Sequence, residues 1–225
     1  MDILATRQQQ VLYDKKWMIF LRRAWLFRYV PFVEFVLAAG SMATGAVNLN
    51  SDFDVIIAVR EGRIFTARFF AVLLFGLFGW RRRRISHAES ARDKICLNHF
   101  ITRSSFRLAP PYTDSWRALY RSLVPLYGRR ECIAEFFHAN ADWMGGERIV
   151  GHDLRYRART HSFFARSLVF LLSGFIGNYI ERVLRAMQIR KIEYSMRRSF
   201  IGHKPRIRYT DTELEFHPDR AKFEQ

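Results

Sequence analysis

Cysteine is scarce in this chain of 225 residues: Cys96 and Cys132 are the only two, and they fall in different elements without metal-ligand spacing. Their scarcity argues against a disulfide framework or a zinc site and fits an intracellular, reducing compartment. The seven histidines are scattered, and none pairs with another ligand at helical spacing. Long apolar runs are missing as well. The uninterrupted run Phe69 to Trp80 has 12 residues, whereas a bilayer crossing takes about 20. Widening the window to residues 64–80 brings in Arg68, a charge that costs roughly 2.5–3.5 kcal/mol inside a membrane. A buried helix packed on a sheet is the expectation there. Residues 163–180 contain Arg166, Ser167, Ser173 and Asn178 and read as a core helix of the C-terminal half. Arg28, Pro31 and Glu34 interrupt the apolar stretch ahead of Val36-Leu-Ala-Ala-Gly-Ser, so a cleaved signal is not expected.

Acidic residues are also few, outnumbered by Lys and Arg by 16. Arginine supplies most of the excess. Such a surface favours polyanions, because guanidinium forks bind phosphate bidentately, and it names nucleic acid or an anionic membrane surface as partners. The run Arg81 to Arg84 follows the apolar stretch directly. It reads first as a cap on the negative end of that helix and second as a grip on phosphates. The apolar fraction is that of a globular protein, with no repeat and no low-complexity segment. The location expected is cytoplasmic, with peripheral membrane attachment where aromatic and arginine residues adjoin.

Against this background one stretch carries chemistry. Residues 36–57 run from an apolar strand into Gly40-Ser41, through a short linker, to Asp52 and Asp54 at the head of a second apolar strand. Strand side chains alternate, so Asp52 and Asp54 share a face while Phe53, Val55 and Ile57 point into a core. Two like charges that close repel unless a cation lies between them. Hard oxygen ligands suit Mg²⁺, which binds through one or two carboxylates plus substrate phosphates. Gly40 lets backbone approach a phosphate, and Ser41 adds a hydroxyl and an N–H.

This pattern resembles the minimal nucleotidyltransferases of the DNA polymerase β superfamily, in which an apolar strand leads to Gly-Ser and, about ten residues later, to acid-x-acid on the next strand. Gly40, Ser41, Ser51, Asp52 and Asp54 carry the match, in detail over roughly residues 30–60. The resemblance implies NTP as substrate, Mg²⁺ as cofactor, Asp52 and Asp54 as metal ligands and Gly40-Ser41 as the phosphate cradle. It also implies a third carboxylate on a later strand. The next strand-like run, 94–102, has none. Asn98 at mid-strand is the expected equivalent; its amide oxygen can ligate or orient but cannot take a proton near neutral pH. His99 has the chemistry of a base, but adjacency places it on the opposite side of the strand. Asp93 stands at the strand's entry.

The class expected is α+β: a mixed sheet of nucleotidyltransferase type over residues 1–109, followed by a mostly helical region over 110–225. Helix formers fill residues 6–29, strands follow at 32–38 and 52–59, a helix at 63–79 and a strand at 94–102. Pro110-Pro111 marks a break, Thr113 caps a helix running to 127 and ending at Gly128, and 131–141 is helical. Gly145-Gly146 opens a polar linker to about 160. Residues 161–199 form the clearest helix of the second half, with Ile176, Ile180, Val183, Leu184 and Met187 at core spacing. After Gly202 and Pro205 the tail, 206–218, alternates weakly, as a short strand does. Arg63 and Arg68 could reach a triphosphate, although helix arginines are more often solvated or paired.

The expected activity is Mg²⁺-dependent transfer of a nucleoside monophosphate from an NTP to an unidentified hydroxyl or amine acceptor, with Asp52, Asp54 and Asn98 in the catalytic set. The alternative is a catalytically degenerate protein of the same fold that binds nucleotide, nucleic acid or a membrane surface. The missing third acid is its support.

Overall fold

The computed structural model describes residues 3–82, 91–110, 112–146, 153–158, 161–199 and 206–217. Arg83, Arg84, Pro111, most of the linker after Gly146, Gly202, Pro205 and Pro218 lie outside them. The chain opens with helix α1 (Ile3–Ala24), whose Trp17, Phe20 and Ala24 recur at helical spacing and are buried, followed by a 3-10 turn at Trp25–Tyr29. Strand β1 (Val33–Ala38) leads into the short helix α2 (Gly40–Thr44), and β2 (Phe53–Val59) returns antiparallel beside β1. Helix α3 (Ile64–Leu77) then crosses over, so that β3 (Ile95–Ile101) lies parallel to β2. A crossover helix is what parallel neighbours require.

The next segment departs from the sequence expectation. Thr113 does cap a helix, α4 (Asp114–Arg121), its hydroxyl accepting from Trp116 N, but the helix stops at Arg121. Residues expected to continue it form strand β4 (Val124–Gly128), antiparallel to β1 on the side away from β2. Val124, Leu126 and Tyr127 suit a strand, and Pro125 has no N–H for a helical bond. Gly128 ends a strand rather than a helix: at φ +124° it lies against Glu34 O and Phe35, where any Cβ would collide. Helices α5 (Arg130–Ala139) and α6 (Ala141–Met144) follow, then the two-residue β5 (Arg157–Ala158), parallel to β4.

Helices α7 (Phe163–Leu171) and α8 (Phe175–Ser199) occupy the stretch expected as one helix, with a 95° bend between them. The final hairpin, β6 (Arg206–Tyr209) and β7 (Glu213–His217), attaches β7 antiparallel to β3. The described strands form one seven-stranded mixed sheet in the order β5-β4-β1-β2-β3-β7-β6, an α+β architecture. Strands from both sides of residue 110 share it.

Alternation divides the strand residues between two cores. Val36, Phe53, Val55, Ile57 and Phe100 face a layer containing α1, α3 and parts of α7 and α8. Phe35, Leu37, Ile56, Ala58 and Ile101 face α4, α5 and α6. Asp54 stands on this second face, in line with Ile56. No single helix among the described residues is long and apolar enough to cross a membrane.

Candidate active site

The carboxyl end of β1 and the amino end of β2 meet under α4. Ala39, Gly40, Ser41 and Thr44 on one side, Asp54, Asn98 and His99 on the other, and Ser115, Ala118 and Leu119 of α4 line a cavity of about 370 Å³. Gly40 has φ +61°, a left-handed conformation, and a Cβ there would run into Asp54 Oδ2. Only glycine satisfies both conditions without a shift of the carboxylate. The local motif thus sets the turn after β1 directly against the acid at the start of β2.

Asp54 is crowded by groups that hold its carboxyl. Asn98 Nδ2 donates to Oδ1 at 3.3 Å, and the Cys96 thiol, opposite Asp54 in the β2–β3 register, donates as well. Burial first and the neighbouring Asp52 second push the Asp54 carboxyl up to about 7. Burial and the Asp54 and Asp52 carboxylates keep Cys96 a thiol far above the usual range. Asp52 is met by Arg82, whose guanidinium reaches Oδ2 at 2.6 Å. One ligand atom from each of Asp52, Asp54 and Cys96 lies within 4.8 Å of the others. A protonated thiol is a poor partner for a hard cation, so the donor set that fits Mg²⁺ is the two carboxylates. Asn98 presents its amide nitrogen to Asp54, which makes it a support of that ligand rather than a third ligand in this arrangement.

His99 lies on the cavity side, contrary to the alternation argument. The pairing Asp54↔Cys96 and Ile56↔His99 spans two residues on β2 and three on β3. This bulge takes up one residue, so Asn98 and His99 both line the cavity. His99 is buried, its Nε2 3.2 Å from Glu213 Oε1, and it stands opposite Glu215 on β7. Burial opposes the Glu213 charge, but His99 and Arg208 beside it hold its carboxyl below the usual range. Two buried carboxylates therefore approach β3 from the C-terminal hairpin. The alternation Glu213-Leu214-Glu215-Phe216 was the available signal for them.

Other sequence candidates lie elsewhere. Asp93 takes a left-handed φ of +60° and pairs with buried Lys16 at 2.9 Å. Lys16 also donates to Leu49 O and Ser51 O, so this pair braces the loop ahead of Asp52. Arg63 and Arg68 belong to the opposite face of the sheet. Arg63 donates to Leu172 O, Ser173 O and Asn178 Oδ1; Arg68 donates to Gln188 Oε1. Neither reaches the cavity. Arg82, read mainly as a helix cap in the sequence, reaches the site through Asp52.

No protein-family model, curated protein or solved structure matches this chain.

Proposed function

We propose that the protein is a Mg²⁺-dependent nucleotidyltransferase of the polymerase β type that moves a nucleoside monophosphate from an NTP to a hydroxyl or amine acceptor. The observation that carries this reading is the close approach of Gly40 to Asp54 at the mouth of a cavity, with a second carboxylate, Asp52, beside it. A turn that admits no Cβ, placed against a carboxylic acid of raised pKa, supports reading the site as one for a phosphate and a cation together.

Asp52 and Asp54 would hold the cation. When bound, Mg²⁺ neutralises phosphate charge and stabilises the pyrophosphate as it leaves. Gly40 and Ser41 offer backbone and hydroxyl donors to the outer phosphates. Asn98 and Cys96 fix the orientation of Asp54, and α4 closes the cavity from above. Arg82 supplies positive charge that can pass from Asp52 to a phosphate once a cation takes its place.

Calorimetric titration of the purified protein with each of the four NTPs, with Mg²⁺ and then with chelator, tests the site. Metal-dependent binding in the parent and its loss in Asp52→Asn/Asp54→Asn is the expected result; absence of NTP binding under every condition defeats the reading. A second reading, a nucleotide-binding protein without transfer activity, is favoured by the thiol and amide that stand next to Asp54 on β3. Under that reading NTP binds, yet no acceptor elicits pyrophosphate release.

A further inference from the structure

The elbow between α7 and α8 places hydrocarbon where a protein in water ordinarily places polar groups. Phe170, Leu171, Phe175, Ile176 and Tyr179 follow one another around the bend, and the two phenylalanines are 83 % and 80 % exposed. Val183 and Met187 continue an exposed stripe along α8, at helical spacing from Ile176 and Tyr179. These include the positions read from sequence as core; of that set only Ile180 and Leu184 pack against the interior.

The inward side of the same helix carries the polar groups. Glu181 accepts from the backbone N–H groups of Phe65 and Thr66 at 2.9 and 2.8 Å, capping the free end of α3. Gln188 donates to Phe65 O, and Asn178 accepts from Arg63. The bend is built as well as exposed. Arg63 holds the carbonyls of Leu172 and Ser173, which end α7, and Gly177 has no Cβ to collide with Leu172 O. An anchored, convex corner cannot fold back to cover its own apolar surface.

Charge says what covers it. Between His161 and Ile180 the sequence has one charged residue, Arg166, and no acid. Along α8, Glu181 is spent on α3 and Glu193 is half-buried, whereas Arg182, Arg190, Lys191 and Arg197 are exposed. A convex apolar tip bordered by cations complements a soft, anionic, hydrocarbon-backed surface. An apolar face flanked by cations is how interfacial helices bind anionic lipid.

We infer that the α7–α8 elbow inserts into the interface of an anionic phospholipid bilayer, lying in the plane of the headgroups rather than crossing it. Phe170, Leu171, Phe175 and Ile176 enter the acyl boundary, and the arginines of α8 meet lipid phosphates.

Flotation of the full-length protein with vesicles tests this. Pure phosphatidylcholine is compared with an equal mixture of phosphatidylcholine and phosphatidylglycerol, at low and high salt. The expected result is flotation with the anionic vesicles, weakened by salt. The Phe170→Ser/Phe175→Ser/Ile176→Ser variant should partition at least about tenfold less, since each lost apolar side chain removes several buried methylenes. Arg182→Glu/Arg190→Glu should weaken anionic binding with the apolar tip intact. Circular dichroism of each variant, matching the parent, shows that the fold is kept. Four results overturn the inference: no flotation of the parent, equal flotation of the serine variant, resistance of the bound protein to alkaline carbonate as a spanning segment shows, or a parent dimer that the serine variant dissociates.

Discussion

The cavity under α4 and the elbow of α7 and α8 lie on opposite faces of one sheet, and each reverses the usual distribution of polarity. In the cavity, carboxyl groups are withdrawn from water: Asp54 is raised to about 7 by burial and by Asp52. At the elbow, phenylalanines are delivered to water, and the polar residues of α8 face inward. Both arrangements cost folding free energy in the isolated chain, one through desolvated charge and the other through hydrated hydrocarbon. The mechanical support differs in kind. Asp54 is held by short side chains on its own sheet, Asn98 and Cys96, next to the motif that creates the site. The elbow is held by Arg63, more than a hundred residues away in sequence. A local motif sets the turn against the acid in the first, but the supports of both come only with the completed tertiary structure.

The largest expected effect separates the two regions by pH. The folded Asp54 titrates near 7 against an ordinary 3.8. Below about pH 4 the acid is protonated in both folded and unfolded chains. Between about 4 and 7 the unfolded chain ionises first, so stability falls as pH rises, by up to about 4 kcal/mol, and then levels off. Denaturant titrations across that range should show this slope in the parent without metal. They should show little of it with saturating Mg²⁺, which favours the ionised form, and little in Asp54→Asn. A slope unchanged in Asp54→Asn assigns the effect to another group.

Next in size is Arg63→Met, which strands two carbonyls and an amide oxygen at the elbow and should cost about 3 kcal/mol. Hydrogen exchange should speed up across residues 172–178 while NTP affinity stays at the parent value. A loss of NTP binding would mean that the two faces are coupled.

Glycine substitutions sharpen the comparison within the site. Gly40→Ala meets both a left-handed backbone and the Asp54 carboxylate; it should lose about 2 kcal/mol of stability and at least tenfold in NTP affinity. Gly45→Ala, at φ +81° with nothing within 4 Å of the added carbon, should lose about 1 kcal/mol and no affinity. Thermal unfolding with parallel calorimetry distinguishes strain alone from strain at a ligand site.

The smallest effect belongs to the elbow surface. Phe170→Ser should change stability in solution by less than about 0.5 kcal/mol, because the ring is already hydrated in the folded state. A larger loss by chemical denaturation would mean that the ring is covered within the protein.

The legible parts of the sequence were those whose cause is local. The apolar strand before Gly40, the Asp52-x-Asp54 start of β2 and the cap at Thr113 each depend on residues within a few positions, and all three stand in the structure. Strand β4 was misread because Val124 to Gly128 owes its conformation to β1, some ninety residues earlier. His99 was assigned to the wrong side because a bulge changes the alternation, and nothing in Leu97-Asn98-His99 announces one. The carboxylates of Glu213 and Glu215 reach β3 only when the terminal hairpin pairs with it.

Periodicity on α8 supplies the clearest division. Ile176, Tyr179, Val183 and Met187 recur at helical spacing, so the order of residues alone makes one stripe of this helix apolar. Which side of the helix meets the sheet was decided elsewhere, by Arg63 and the start of α3, which has no cap of its own; they draw Asn178, Glu181 and Gln188 inward. Hydrogen bonds to buried backbone and guanidinium groups are costly to leave unmade, and they outweigh the burial that the stripe would have gained. The residues at positions 40, 52 and 54 carried the site in their spacing; their partners Arg82, Cys96 and His99 joined it through the pairing of β2 with β3 and the chain's return across the end of α3.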